Sequence, residues 1–286
     1  GETLSNSYQK VQLQNGVINP ETVSVGDLFA AAIIPGSLIV LAYIIYVLIY
    51  SYVNPQKSPS VTLEKSITLS DFVFQLLPPL LLIFIVLGSI LFGVATPTES
   101  SALGAFGALI LSAFSKHTTL KNMPLILLDT LKINALIFAI LIGATVFSLV
   151  FRGFNGDAQI HQFFSQLPHT SFLTLFIILL ALFILGFILD FIEITLVIIP
   201  IVAPILLQLN YDPLWLGILF AIILQTSFLT PPFGFSLFYL RGVTSESIST
   251  MTLYKGVIPF IVIQLLIMTL IIIFPKIATF LPSIIY

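Results

Sequence analysis

Residues 26–52, 171–207 and 214–240 are apolar runs with few charges, each longer than the stretch a helix needs to cross a bilayer. About 20 apolar residues span the roughly 30 Å of hydrocarbon. Inside it, each backbone N–H and C=O must find its partner within the protein. These runs make the chain an all-α polytopic membrane protein. Composition agrees: 58% of residues are hydrophobic, 8% are charged and mean hydropathy is +1.14. Soluble domains carry about 25% charged residues.

The net charge of −2 and the lack of any Lys/Arg cluster exclude a nucleic-acid partner. Without cysteine there are no disulfides, no thiol catalysis and no Cys-ligated metal. The sequence opens on Gly1-Glu2-Thr3 with neither an initiator Met nor a basic-then-apolar leader, and is read as a fragment or an incomplete gene model.

Residues 1–25 are polar, with turn signals at Asn15-Gly16 and Asn19-Pro20, and read as an exposed lead-in. Residues 26–152 form a scaffold-like set of helices. The first span, 26–52, ends at Asn54-Pro55. The second, 72–93, is interrupted by Pro78-Pro79. The small residues Ala102, Gly104, Ala105, Gly107 and Ala108 then suit close helix approach in lipid. Residues 116–132 combine three cations with helically spaced Leu and Ile, as expected of an amphipathic helix in the interface, and 133–151 crosses again.

Residues 171–207 could be one tilted helix or two half-helices. Asp190 and Glu193 favour the second, because a carboxylate facing lipid at mid-membrane is costly, whereas at a tip beside protein it can be hydrated or paired. Pro200 and Pro204 also weaken a continuous helix. We therefore expect a re-entrant hairpin over 171–207, a turn at 210–213, a broken transmembrane helix over 214–240 and a last span at 257–274. With the hairpin not crossing, Lys57, Lys65, Lys116, Lys121, Lys132, Arg241 and Lys255 share one side, and Lys10, Arg152 and Lys276 the other. The cation-rich side is expected to be cytoplasmic, which puts the hairpin's open end outside.

Residues 225–234 carry the chemistry. Gln225, Thr226, Ser227 and Thr230 supply side-chain oxygens next to Pro231 and Pro232, which have no N–H and release carbonyls one turn back. Oxygen ligands at unwound helix ends suit a hard cation such as sodium. The alternative is a proline kink whose hydroxyls bond to their own helix. Asp190 and Glu193 can couple ions or bond across the hairpin tip, or can simply cap the second half-helix at its positive dipole end. Thr96-Pro97-Thr98-Glu99 reads as a capping box, Gly26-Asp27 as a helix start, and Asp129 with Lys132 as a surface ion pair. HExxH, GxSxG, Walker and GxGxxG motifs are absent, and His117, His161 and His169 have no spacing for a shared metal. The chain is therefore not read as an enzyme, and any transport would be secondary. A membrane scaffold and a passive channel are the other functions open to it.

Several motifs resemble one family: Ser24-Val25-Gly26-Asp27-Leu28-Phe29 with Ile34-Pro35-Gly36, Ala95-Thr96-Pro97-Thr98-Glu99, and Leu229-Thr230-Pro231-Pro232-Phe233-Gly234 with Leu240-Arg241-Gly242-Val243. Together they resemble the large membrane subunit of tripartite ATP-independent periplasmic (TRAP) transporters, and Phe238 to Val243 is similar to the branch labelled for mannitol or chloroaromatic compounds. The resemblance implies a sodium-coupled, elevator-type importer of organic acids in the bacterial inner membrane. It would work with a small membrane subunit and a periplasmic substrate-binding protein, and would need no cofactor beyond sodium ions. It also implies two inverted halves, each with a hairpin and a broken helix. This chain would be the second, C-terminal half, and its counterpart would precede Gly1. Asp190, Thr226, Ser227 and Thr230 would then form the outer sodium site. Glu193, Thr195, Gln225, Pro231, Pro232 and Gly234 would support the hairpin and the substrate.

Overall fold

A computed structural model describes residues 1–56, 58, 73–114, 122–165, 171–231, 236–237, 240–241, 244 and 248–285; at 157, 161, 163–165 and 171 the description covers backbone alone. Pro232, Gly234 and the cations Lys57, Lys65, Lys116 and Lys121 lie outside these residues. The described residues contain helices and turns and no strand. Four helices, Val25–Val53, Met123–Gly153, Phe191–Gln208 and Thr250–Ile273, are long and apolar enough to cross a membrane. The chain divides into two compact units, Gly1–Ile44 with Ile137–Tyr286, and Ile45–Leu136.

In the first unit, the polar lead-in 1–25 is exposed at residues 13–19, but the part before them is helical and docked. Glu2–Gln14 is a helix, α1, whose Leu4 and Val11 are buried and flank the partly buried Tyr8. This i, i+4, i+7 stripe is enough to dock a short helix. It packs against the chain at Ile199–Gln208. Ser5 Oγ accepts the Val23 N–H at 3.1 Å and so ties down the following segment. The Asn15-Gly16 signal marks the turn after the helix, with Gly16 at φ +84°. Helix α2, Val25–Val53, starts in a reciprocal cap: Asp27 N–H donates to Ser24 Oγ at 2.9 Å and Ser24 N–H to Asp27 Oδ2 at 2.8 Å.

In the second unit, α3 (Leu77–Leu91) and α4 (Pro97–Phe114) pair. The interruption expected at Pro78-Pro79 falls at Leu76. Helical residues 73–75 stop at Leu76, and both prolines lie in the first turn of α3, where an amide N–H has no intrahelical partner. Ser89 and Ser100 share a 2.8 Å hydroxyl bond, Gly104 faces Val86, and a methyl on Gly107 would overlap Leu82. The falling partner numbers against rising ones describe an antiparallel pair, held close by small residues. Thr96 and Glu99 form the expected cap, with Thr96 N–H donating to Glu99 Oε2 at 2.8 Å and Glu99 N–H to Thr96 Oγ1 at 3.3 Å.

Helix α5, Met123–Gly153, is continuous. From Met123 onward, no break separates the expected interfacial helix from the following span. Pro124 sits in the first turn and no further proline follows, so nothing in this stretch ends the helix. The exposed Asp129–Lys132 pair is present at 3.2 Å.

The first unit continues with α6 (Gly156–Ser165), α7 (Ser171–Leu185), α8 (Phe191–Gln208), α9 (Pro213–Leu229) and α10 (Thr250–Ile273), then the short α11 (Lys276–Thr279) and α12 (Pro282–Ile285). Helix α9 is its centre, with Trp215, Leu216, Leu219, Phe220, Ile222 and Ile223 all buried. Asp212 caps it by accepting the Trp215 N–H at 2.8 Å. Trp215 stacks on Tyr211 with ring centroids 5.3 Å apart, and its indole N–H donates to the Ile271 carbonyl of α10 at 2.8 Å. In α10, Gln264 is fully buried, with the Tyr43 hydroxyl of α2 beside its side-chain amide.

Candidate functional site

The apolar stretch 171–207 is two helices, separated at 186–190. Asp190 ends the separation. Its backbone is extended (φ −70°, ψ 155°), its Oδ1 accepts the Phe191 N–H at 2.8 Å, and Glu193 Oε2 accepts the Asp190 N–H at 3.3 Å. The two carboxylates thus make a capping box at the positive end of α8. Immediately after it, Ile194–Ile198 is π-helical, with Thr195 inside it. Pro200 lacks the N–H that would pair with the Leu196 carbonyl, and a widened turn just ahead of a proline accommodates this loss. Single π turns recur at functional sites.

The 186–190 break lies against the end of α9. Ser227 Oγ donates to the Ile223 carbonyl at 2.9 Å and lies 3.2 Å from the Phe183 carbonyl of α7. Gly186 approaches Ser227 so closely that a methyl there would sit 2.5 Å from Ser227 Cβ. Phe191 and Phe228 bring the start of α8 to the same place, with ring centroids 5.6 Å apart. Three helix ends therefore converge: the C-termini of α7 and α9 and the N-terminus of α8. Carbonyl ends favour a cation and an N-terminus favours an anion.

Helix α9 ends where the sequence requires. Thr230 precedes Pro231 and is extended (φ −88°, ψ 126°), as a residue before proline prefers. The Ser227 carbonyl, which Pro231 cannot serve, accepts the Thr230 N–H at 3.1 Å. Thr226 Oγ1 donates to the Ile222 carbonyl at 2.7 Å and Thr230 Oγ1 to the Thr226 carbonyl at 2.8 Å. Each hydroxyl spends its proton on the helix yet keeps lone pairs as an acceptor. Thr226 and Ser227 are fully buried, Asp190, Glu193, Thr195, Thr230 and Pro231 are half-buried, and Gln225 is exposed.

An apolar cavity of about 530 Å³ lies beside this site, lined by Leu179, Phe183, Ile223, Met268 and Ile272 among others. It offers an anion almost no polar partner.

Residues 17–277 match the family described as tripartite ATP-independent periplasmic transporter, DctM component. The chain belongs to this family of TRAP large permeases. The chain is 30% identical over 273 residues to the sialic acid TRAP transporter permease protein SiaT of Haemophilus influenzae, covering 94% of this chain and 43% of that protein. It is 28% identical over 264 residues to the C4-dicarboxylate TRAP transporter large permease protein DctM of Pseudomonas aeruginosa, covering 91% and 60%. The sialic acid TRAP transporter large permease protein SiaM of Vibrio cholerae is also 28% identical, over 275 residues, covering 94% and 62%. The chain thus spans about two fifths to three fifths of the length of these relatives. Family membership and the four long apolar helices make it an integral membrane protein of a transport family.

Sequence reasoning had not singled out Gly186, the Phe191–Phe228 contact or the π turn. Gly186 did leave a signal, being the one glycine between 171 and 207 and four residues ahead of Asp190.

Proposed function

We propose that this chain serves in sodium-coupled uptake of a small organic acid, as the C-terminal half of a TRAP large permease in the bacterial inner membrane. A small membrane subunit and a periplasmic substrate-binding protein are its proposed partners. In this reading 171–207 is a re-entrant outer hairpin, and the α9 end with the residues beyond Pro231 is a broken helix. Both belong to the moving half of an inverted-repeat elevator. Asp190, Thr226, Ser227 and Thr230 form the outer sodium site, with Glu193, Thr195, Gln225, Pro231, Pro232 and Gly234 supporting hairpin and substrate. The mannitol or chloroaromatic branch remains the proposed placement. The relatives' names mention sialic acid and C4-dicarboxylates, both organic anions.

The observation that carries this reading is the meeting of the Asp190 cap with the Ser227–Phe228 end of α9. In this reading the Asp190 carboxylate, the hydroxyls of Thr226, Ser227 and Thr230 and the helix-end carbonyls gather at membrane depth, where polar groups are expensive unless functional.

The capping box and the back-bonded hydroxyls support a second reading, in which Asp190 is structural and the break belongs to a membrane scaffold. Two substitutions separate the readings. Asp190→Asn keeps a good N-cap but removes the charge, whereas Asp190→Ala removes both. Uptake would be measured in proteoliposomes holding the complete transporter and its partners. A sodium site predicts that both variants lose sodium dependence. A structural cap predicts that Asn retains it while Ala lowers stability. Undiminished sodium dependence in both variants would sink the site assignment.

A further inference from the structure

A separate, polar cavity of about 190 Å³ lies where α1, α5 and α8 meet and shares no residue with the candidate site. Lys10, Gln14, Ser148, Arg152 and Gln208 turn toward it, and its lining has no carboxylate. Phe151 and Pro204 form part of its apolar wall. Neither Lys10 nor Arg152 has an acidic partner among the described residues. Lys10 and Arg152 are both exposed on this lining, so an anion in the cavity would meet two cations of different helices. The dipole of α5 accounts for Arg152, which is in its last turn, but α1 has no cation in its last turn, and Lys10 lies further in. Gln208 Nε2 lies 3.5 Å from Gln14 Oε1, which leaves the Gln14 amide N–H groups for another acceptor.

We infer that this cavity binds a phosphate group, supplied by a lipid head group or by free phosphate. A guanidinium, an ammonium, amide N–H groups and a hydroxyl make a donor set suited to phosphate oxygens. Helix α5 is long and apolar enough to cross the membrane and ends at Gly153, so Arg152 falls at the end of a span, where lipid phosphates are within reach.

The test uses the purified full chain in detergent. Retention of phosphatidylglycerol is measured by native mass spectrometry, and binding of inorganic phosphate and of succinate by calorimetry. Lys10→Gln with Arg152→Gln should weaken binding by roughly tenfold or more. Each single variant should lose part of it, which preserves the test if the double variant fails to fold. Phosphatidylglycerol retained in the presence of excess inorganic phosphate assigns the lipid, and inorganic phosphate bound alone assigns the free ion. Equal binding by wild type and variants, no binding of either phosphate source, or tighter binding of succinate would each overturn the inference.

Discussion

The contact between Gly186 and Ser227 yields a quantitative expectation. A methyl at Gly186 would lie 2.5 Å from Ser227 Cβ and 2.6 Å from its Oγ. Carbon atoms pack at about 3.5–4.0 Å, so α7 and α9 must separate by about an ångström. Ser227 cannot relieve this by rotating, because a new rotamer leaves Cβ in place and the residue is fully buried. Overpacking of this kind costs about 1–3 kcal/mol. Ser227→Gly removes the obstructing Cβ but brings its own cost: about 1 kcal/mol for glycine in a helix and about 0.5–1.5 kcal/mol for the lost hydroxyl bonds. If the clash is the cause, Gly186→Ala and Ser227→Gly together cost less than the sum of the two by about 1–3 kcal/mol. The measurement is a double-mutant cycle of reversible unfolding in mixed detergent micelles. A neutral Gly186→Ala, or additivity within about 0.5 kcal/mol, would refute the reasoning.

Thr226→Val keeps the shape and removes only a hydroxyl bonded back to Ile222, so stability should change by less than about 1 kcal/mol. On the sodium reading, uptake by the complete transporter nevertheless loses sodium affinity, and unchanged sodium titration would exclude Thr226 from the site. The Thr96 N–H and hydroxyl hold the exposed Glu99 carboxyl below its usual range. A depressed carboxylate stabilises the fold above its unfolded value, about 4.3, and loses that contribution as pH falls through the lower folded value. The unfolding-midpoint difference between wild type and Glu99→Gln should therefore be present at neutral pH and shrink toward the acid end; a difference that does not vary with pH counts against the cap.

Features announced by local chemistry were legible in the sequence. The caps at Thr96 and Asp27, the interruption near Asp190 and the end of α9 before Pro231 each follow from one or two residues whose backbone demands are specific. Features depending on what a residue faces were not. Helix α1 looks like a polar lead-in because only a narrow stripe through Leu4, Tyr8 and Val11 is apolar, and a stripe that narrow matters only when a partner surface exists. Gln264 is a lone amide in an apolar run, and periodicity cannot say that it points inward. Nor could composition separate an interfacial helix from a span, since α5 continues unbroken through Asp129, Lys132 and Asn134. In the site itself, the residue types suggested oxygen ligands, but only geometry reveals that the hydroxyl protons are already committed to helix carbonyls.

Trp215 gives the molecule a reporter of its own. It is the single tryptophan of the chain, 4% exposed, stacked on Tyr211 and bonded through its indole to α10. All intrinsic indole emission therefore comes from the helix that ends at Ser227 and Thr230. A red shift on unfolding registers the loss of that helix's packing against α10, and the α3–α4 pair contributes no signal. The chain also has no cysteine, so one introduced thiol can carry a unique acceptor dye. Distances from Trp215 to such a dye on α7 or α8 would follow the two sides of the Gly186 break directly, in detergent or in bilayers, without a second donor to correct for.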